Sequence, residues 1–93
     1  MKFRTALGEV IRETRHELGL NLRDVSERGS VALGYLSEVE RGHKEVSSEI
    51  LDCIAKALGL PTYQLIELSS WKMKIQSGLI SDELGFDTGL VRR

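Results

Sequence analysis

The side chains best equipped for binding chemistry in this sequence are Arg23, His43 and Lys44, with Arg12 and Arg28 as further candidates. Guanidinium and ammonium groups hold phosphate oxygens by charge and hydrogen bonding. Such contacts supply most of the affinity for a nucleic-acid backbone while carrying no sequence code. For each residue alone a solvated surface charge is an equally good reading; their gathering around one end of one short helix favours phosphate. Catalytic chemistry has less to work with. Carboxylates are plentiful but fall on solvated helix faces, and no phosphate-binding loop, dinucleotide fingerprint, zincin motif or nucleophile elbow occurs. His16 and His43 stand apart from each other and from Cys53, the only cysteine, so neither a structural zinc site nor any other metal or cofactor is implied. An enzyme is not expected.

Composition sets the frame for these residues. A chain of 93 residues makes one domain with a tail, and its core is modest, so stabilisation by oligomerisation is natural. Apolar residues are 41% and charged residues 29%, ordinary for a globular chain; with two Phe, two Tyr and one Trp, the core must be Leu, Ile, Val and Ala. The net charge is −1, so no bulk charge attracts a polyanion. Residues 1–44 carry eight Lys or Arg against seven Asp or Glu, and residues 45–93 five against seven. Any basic surface is therefore a local arrangement. A lone Cys53 excludes an internal disulfide and fits a reducing compartment. There is no 18-residue apolar run, and the opening MKFRTALGEVIRETR lacks the apolar core of a signal peptide. A cytoplasmic location and no membrane contact are expected.

The elements that must position these residues are helical. Phe3, Leu7, Val10, Ile11, Thr14 and Leu18 recur at three- and four-residue steps on one face of a first helix, which Gly19 ends. Asn21 with Asp24 three residues on forms a capping pair for a short second helix over 22–28, with Leu22 and Val25 inward. A third helix over 32–41 buries Leu36 and Val39 and stops at Gly42. Ser47 caps a fourth, whose stripe is Ile50, Ile54, Ala57 and Leu58; Cys53, beside that stripe, is expected to be a small core residue. Gly59 ends it and Pro61 opens a fifth, with Tyr63, Leu65, Ile66 and Leu68 supplying its contacts. Beyond Leu68 the segment WKMKI alternates like a strand, although Leu68, Trp71 and Ile75 also fit helical steps.

Two short helices joined by a tight turn over residues 22–41, with Val25, Gly29, Val31, Leu36 and Val39 inward and the small Ser26 at the crossing, form a specific pattern. The sequence LGEVIRETRHELGLNLRDVSERGSVALGYLSEVERGHKEVSSEILDCIAKALGLP resembles the helix-turn-helix domains of the phage-repressor and Xre-like family. Within it, the segment from Leu22 to Glu49 is most similar to the actinobacterial regulators of Clp protease genes. The resemblance covers residue 7 to about residue 68 and implies an all-α, five-helix repressor-like domain over residues 1–68. Residues 69–93 form a C-terminal extension. Three positions depart from the family pattern. Ser30 stands where the turn has Gly, Ala32 replaces a Ser or Thr cap, and Ser26 replaces Ala.

The resemblance further implies that the third helix enters the major groove of duplex DNA, with Ala32, Leu33, Gly34, Ser37 and Glu38 on its groove-facing side. The apolar groups of Ala32 and Leu33 suit thymine methyls, Ser37 suits several bases, and Glu38 can accept from cytosine N4. Gly34 lets the backbone come close. Leu33 packing on a neighbour, and Glu38 pairing with Arg41, are the plainer readings. Tyr35 is expected to pack with its hydroxyl within reach of a phosphate, and His16 to be exposed. Arg15 and Glu40 are implied to form a partly buried ion pair between the first and third helices. The expected activity is sequence-specific regulation of transcription by a homodimer on an inverted repeat, its half-sites about 34 Å apart or a multiple of that. The fifth helix together with Trp71, Met73, Ile75, Leu79 and Ile80 is the candidate dimer surface, or else these simply cap the monomer's core. The alternative is a protein-binding module, such as the antitoxin of a toxin pair, on the same fold.

Overall fold

A computed structural model describes residues 1–78. Local chemistry sets where its helices start. Asn21 accepts from the Asp24 amide while the Asp24 carboxylate accepts from the Asn21 amide, each at 2.8 Å. That reciprocal box satisfies two amides which the first turn leaves without helical partners. Ser47 Oγ accepts from the Ile50 amide in the same way. The result is α1 (Phe3–Glu17), α2 (Leu22–Gly29), α3 (Leu33–Glu40), α4 (Ser48–Leu58) and α5 (Thr62–Ser77), with no strand among the described residues. WKMKI therefore belongs to a helix. Pro61 caps α5, which runs unbroken through Leu68 to Ser77.

The helices close on one core. α1 packs chiefly on α5 and α2 on α4, while α3 lies against α1 and α2. Leu7, Ile11, Val25, Leu36, Ile54 and Leu65 are all but fully buried, each worth about 1.5–3 kcal/mol relative to exposure. Ser69 is also buried, its hydroxyl donating to the Leu65 carbonyl at 2.7 Å one turn back.

Several expectations are corrected. Cys53 is exposed; at 100° per residue it rotates past the edge of the α4 stripe, and Leu51 and Ala55 take the inward places instead. Phe3, the first residue of α1, and Leu18, its C-cap, are exposed. Tyr63 and Ile66 are exposed too, 65% and 42%, so α5 carries apolar side chains away from the core as well as into it. Leu79 and Ile80 lie outside the described residues.

Two glycines set how closely the helices approach. A Cβ on Gly8 would stand 2.5 Å from the Val39 carbonyl oxygen, and one on Gly29 would stand 2.9 Å from that of Cys53. Gly8 thus lets α1 cross α3, and Gly29 lets α2 rest on α4.

Candidate nucleic-acid interface

The turn between α2 and α3 is tied at both ends by one residue pair. The Val31 amide donates to the Ser26 carbonyl at 3.0 Å, and Ser26 Oγ donates to the Val31 carbonyl at 2.6 Å. Ser26 therefore contributes a bond that an alanine there lacks. Ser30, between them, is the only non-glycine residue with positive φ among those described, at φ 55° and ψ 42°. The turn is strained at Ser30, where L-residues are disfavoured by about 1–2 kcal/mol. Ala32 stands at the N-cap of α3 and offers no side-chain hydrogen bond to it.

Leu36 and Val39 turn inward on α3, and its outer face is left to short side chains. Ala32 and Gly34 are exposed, Leu33 and Ser37 half-buried, and Glu38 half-buried toward the C-terminal end. Arg41, seven residues after Gly34 and four after Ser37, belongs to that same exposed face. Its place was readable from the helical repeat, but its pairing with Glu38 obscured it.

Both Glu38 carboxylate oxygens are engaged. Oε1 lies 2.8 Å from His43 Nδ1 and Oε2 lies 3.4 Å from Arg41. The hydrogen bond to His43 leads the effects that hold the Glu38 carboxyl below its ordinary value; the charges of His43, Arg41 and Lys44 act the same way, and desolvation opposes them. The loop after α3 is pinned twice. Tyr35 Oη donates to the Glu45 carbonyl at 2.7 Å, so its hydroxyl proton is committed to the fold. Arg4 of α1 donates to the Gly42 carbonyl at 3.2 Å and to the Glu45 carboxylate at 2.6 Å. Arg4 had no signal in sequence, because its partners lie about forty positions away. Among the described residues, no carboxylate lies within ion-pair distance of Arg12, Arg23, Arg28 or Lys44, all of them exposed.

Behind this surface, Arg15 of α1 and Glu40 of α3 form a two-point pair at 2.7 and 3.0 Å, and Arg15 also donates to the Leu20 carbonyl at 3.1 Å. Their side chains are only 11% and 8% exposed. The hydrogen bond to Glu40 raises Arg15 further above its already high ordinary value; burial works against this and the Glu40 charge adds to it.

On the far side, α1 and α5 flank an open groove of about 350 Å³ lined by Val10, Thr14, Leu68, Trp71 and Ile75, with Met1 at its rim. Lys72 spans the two helices, 2.9 Å from Glu13 and 3.4 Å from Glu9. Met73 is half-buried, seven residues after the exposed Ile66 and so on its face of α5. No described helix is long and apolar enough to cross a membrane, and no cluster of described residues could hold a metal ion.

The helix-turn-helix family model matches residues 11–65. The transcriptional regulator ClgR of Mycobacterium tuberculosis is 53% identical over 58 residues, which are 62% of this chain and 52% of that protein. The crystal structure of the clp gene regulator ClgR from Corynebacterium glutamicum superposes with a TM-score of 0.80 at 38% identity, covering 90% of this chain and 87% of that one. The restriction-modification controller protein C.AhdI from Aeromonas hydrophila gives 0.65 at 27% identity, covering 67% of this chain and 94% of that one. The chain spans about half the length of the ClgR relative it matches in sequence. With an α2–turn–α3 unit of this geometry inside the matched region, the chain belongs to the helix-turn-helix family.

Proposed function

We propose that the protein is a sequence-specific DNA-binding regulator of transcription that acts in the cytoplasm as a homodimer on an inverted repeat. The observation that carries this is Gly34. A Cβ there would meet nothing within 4 Å, so the fold makes no demand for glycine, and glycine inside a helix costs about 0.5–1 kcal/mol relative to alanine. A bare backbone on an exposed recognition face suits close approach to a groove. Ala32 and Leu33 meet thymine methyls beside it, and Ser37 donates or accepts at a base edge. Arg23 and Lys44, free of carboxylate partners among the described residues, hold phosphates, with His43 between Lys44 and the helix end. Tyr35 serves that surface by fixing the loop.

Selection of bound duplexes from a random pool, followed by footprinting, tests this reading. The expected product is an inverted repeat with half-sites one helical turn apart or a multiple of that. Failure to enrich any sequence would overturn it. Arg23→Ala and Lys44→Ala should weaken binding to all duplexes and each lower the salt slope by about 1.

The dimer surface in this proposal is α5, through Tyr63, Ile66, Trp71, Met73 and Ile75; the candidates Leu79 and Ile80 lie outside the described residues. The exposure of Tyr63 and Ile66 supports it. Light scattering on Ile66→Lys with Met73→Lys should give a folded monomer, and an unchanged dimer would move the interface elsewhere.

A further inference from the structure

We propose that Glu38 is a positioning residue and not a base reader: its carboxylate aims the His43 imidazole and the Arg41 guanidinium at the DNA backbone, so that affinity for duplex DNA rises when His43 takes up a proton. This rests on the DNA-binding reading above and goes beyond it.

The geometry leaves Glu38 little to offer a base. One carboxylate oxygen is 2.8 Å from His43 Nδ1 and the other 3.4 Å from Arg41. The backbone closes the same unit, since the His43 amide donates to the Glu38 carbonyl at 3.0 Å. Glu38 is also the inner member of the three. Its side chain is 35% exposed, whereas His43 and Arg41 are 60% and 64% exposed. An approaching polyanion therefore meets the imidazole and the guanidinium first.

The chemistry of the ring makes this arrangement sensitive to protons. An ionised carboxylate only accepts hydrogen bonds, so the nitrogen facing Glu38 must carry the hydrogen, and Nδ1 is the donor. In the neutral ring Nε2 is then an acceptor, which a phosphate oxygen repels. Protonation turns Nε2 into a donor and adds one positive charge, while Nδ1 keeps its bond to Glu38. Glu38 stays ionised across this range, because its carboxyl is held below its ordinary value by His43 first and by the nearby cations. The other charged groups around the pair are Arg41 at the C-cap of α3, Lys44 next in the loop, and Glu45, which Arg4 of α1 holds. Of the side-chain types gathered here, only an imidazole ordinarily changes charge between about pH 5.5 and 8.5.

The test is fluorescence anisotropy with a labelled 20-base-pair duplex of mixed sequence, at constant ionic strength, from pH 5.5 to about 8.5. Phosphate contact carries no sequence code, so this probe reads the effect without an operator. The dissociation constant should fall about fivefold from high to low pH, and the salt slope should steepen by about 0.9, one phosphate's worth. His43→Gln should flatten the profile, and His16→Gln, distant on α1, should leave it intact. Glu38→Gln should still bind but with a smaller gain in affinity at low pH, since a neutral amide holds the ring less firmly than a carboxylate does. A flat wild-type profile, a profile that survives His43→Gln, or a Glu38→Gln gain equal to that of the wild type would each overturn the proposal. Absence of binding at every pH would instead overturn the DNA-binding reading beneath it.

Discussion

The two faces of α3 follow different rules. Inward, Leu36 and Val39 fill the core, α1 comes close enough that Gly8 has no room for a Cβ, and Glu40 is held by two bonds from Arg15. Outward, the same helix begins without a side-chain cap, carries a glycine that nothing requires, and ends in a loose set of charges. Neighbours dictate the inner residues. At Gly34 the fold makes no such demand, and DNA contact is the proposed reason for that residue. If that division is right, inner substitutions should act on stability, and outer ones should leave stability intact or raise it while weakening DNA binding.

The largest break is expected at the ion pair. Arg15→Ala or Glu40→Ala strands the remaining charge in a site only about a tenth exposed, and should cost about 3–5 kcal/mol in chemical denaturation. Replacing both by apolar residues of matching volume should recover much of that loss. Recovery would show the pair to be a scaffold whose penalty lies in being half removed; no recovery would mean that the two-point geometry itself stabilises the fold.

Gly8→Ala and Gly34→Ala put the same methyl on the two sides of the division. At Gly8 the new carbon would stand 2.5 Å from a carbonyl oxygen of α3. Forcing the helices apart should cost about 1–3 kcal/mol or more. At Gly34 the methyl enters open space, and the helix should gain about 0.5–1 kcal/mol while DNA affinity falls. A stabilised Gly34→Ala protein with undiminished affinity would remove the strongest support for the recognition face. Ser30→Gly is smaller still. Relief of the left-handed backbone, about 1–2 kcal/mol, is offset by about 0.4–1 kcal/mol of added freedom in the unfolded chain. The melting temperature should rise by a few degrees at most.

Sequence patterning captured the inner side well, because caps and periodicity act locally. Asn21 with Asp24, Ser47, and the buried Val25, Leu36, Val39 and Ile54 all follow from neighbours within one or two turns. It failed where the answer depends on how far the core extends. A period tells which way Cys53 or Ile66 points only relative to a stripe whose centre is unknown, and it does not reveal that Phe3 and Leu18 are exposed. Gly8 was silent for the same reason: its partner is a carbonyl thirty-one positions later. On the outer side, spacing suggested a Glu38–Arg41 contact, but the stronger bond to His43 needs the chain to turn at Gly42, and the loop clamp by Arg4 needs α1 to lie against it.

The pH dependence of stability gives the finest version of the comparison, because ion pairs of opposite sign of shift lie on different parts of the molecule. On the outer face, the folded protein holds the Glu38 carboxyl below its ordinary value, chiefly through His43. The folded state thus binds this proton less readily than the unfolded one. Its contribution is complete above the ordinary carboxylate value and is lost as pH falls through the lowered one. On the α1–α5 side, hydrogen bonding to Glu13 leads the effects that raise Lys72, against desolvation, with Glu9 helping. Its contribution is present below the ordinary lysine value and is lost as pH rises through the raised one. Glu38→Gln should therefore lower the melting temperature slightly at pH 6 and by less at pH 3, whereas Lys72→Met should match the wild type only in strong alkali. Each effect is small, since both pairs are partly exposed and screened by solvent. A Glu38→Gln protein equally stable at both pH values would mean that the carboxylate does nothing for the fold, leaving its bonds to His43 and Arg41 to be explained by DNA alone.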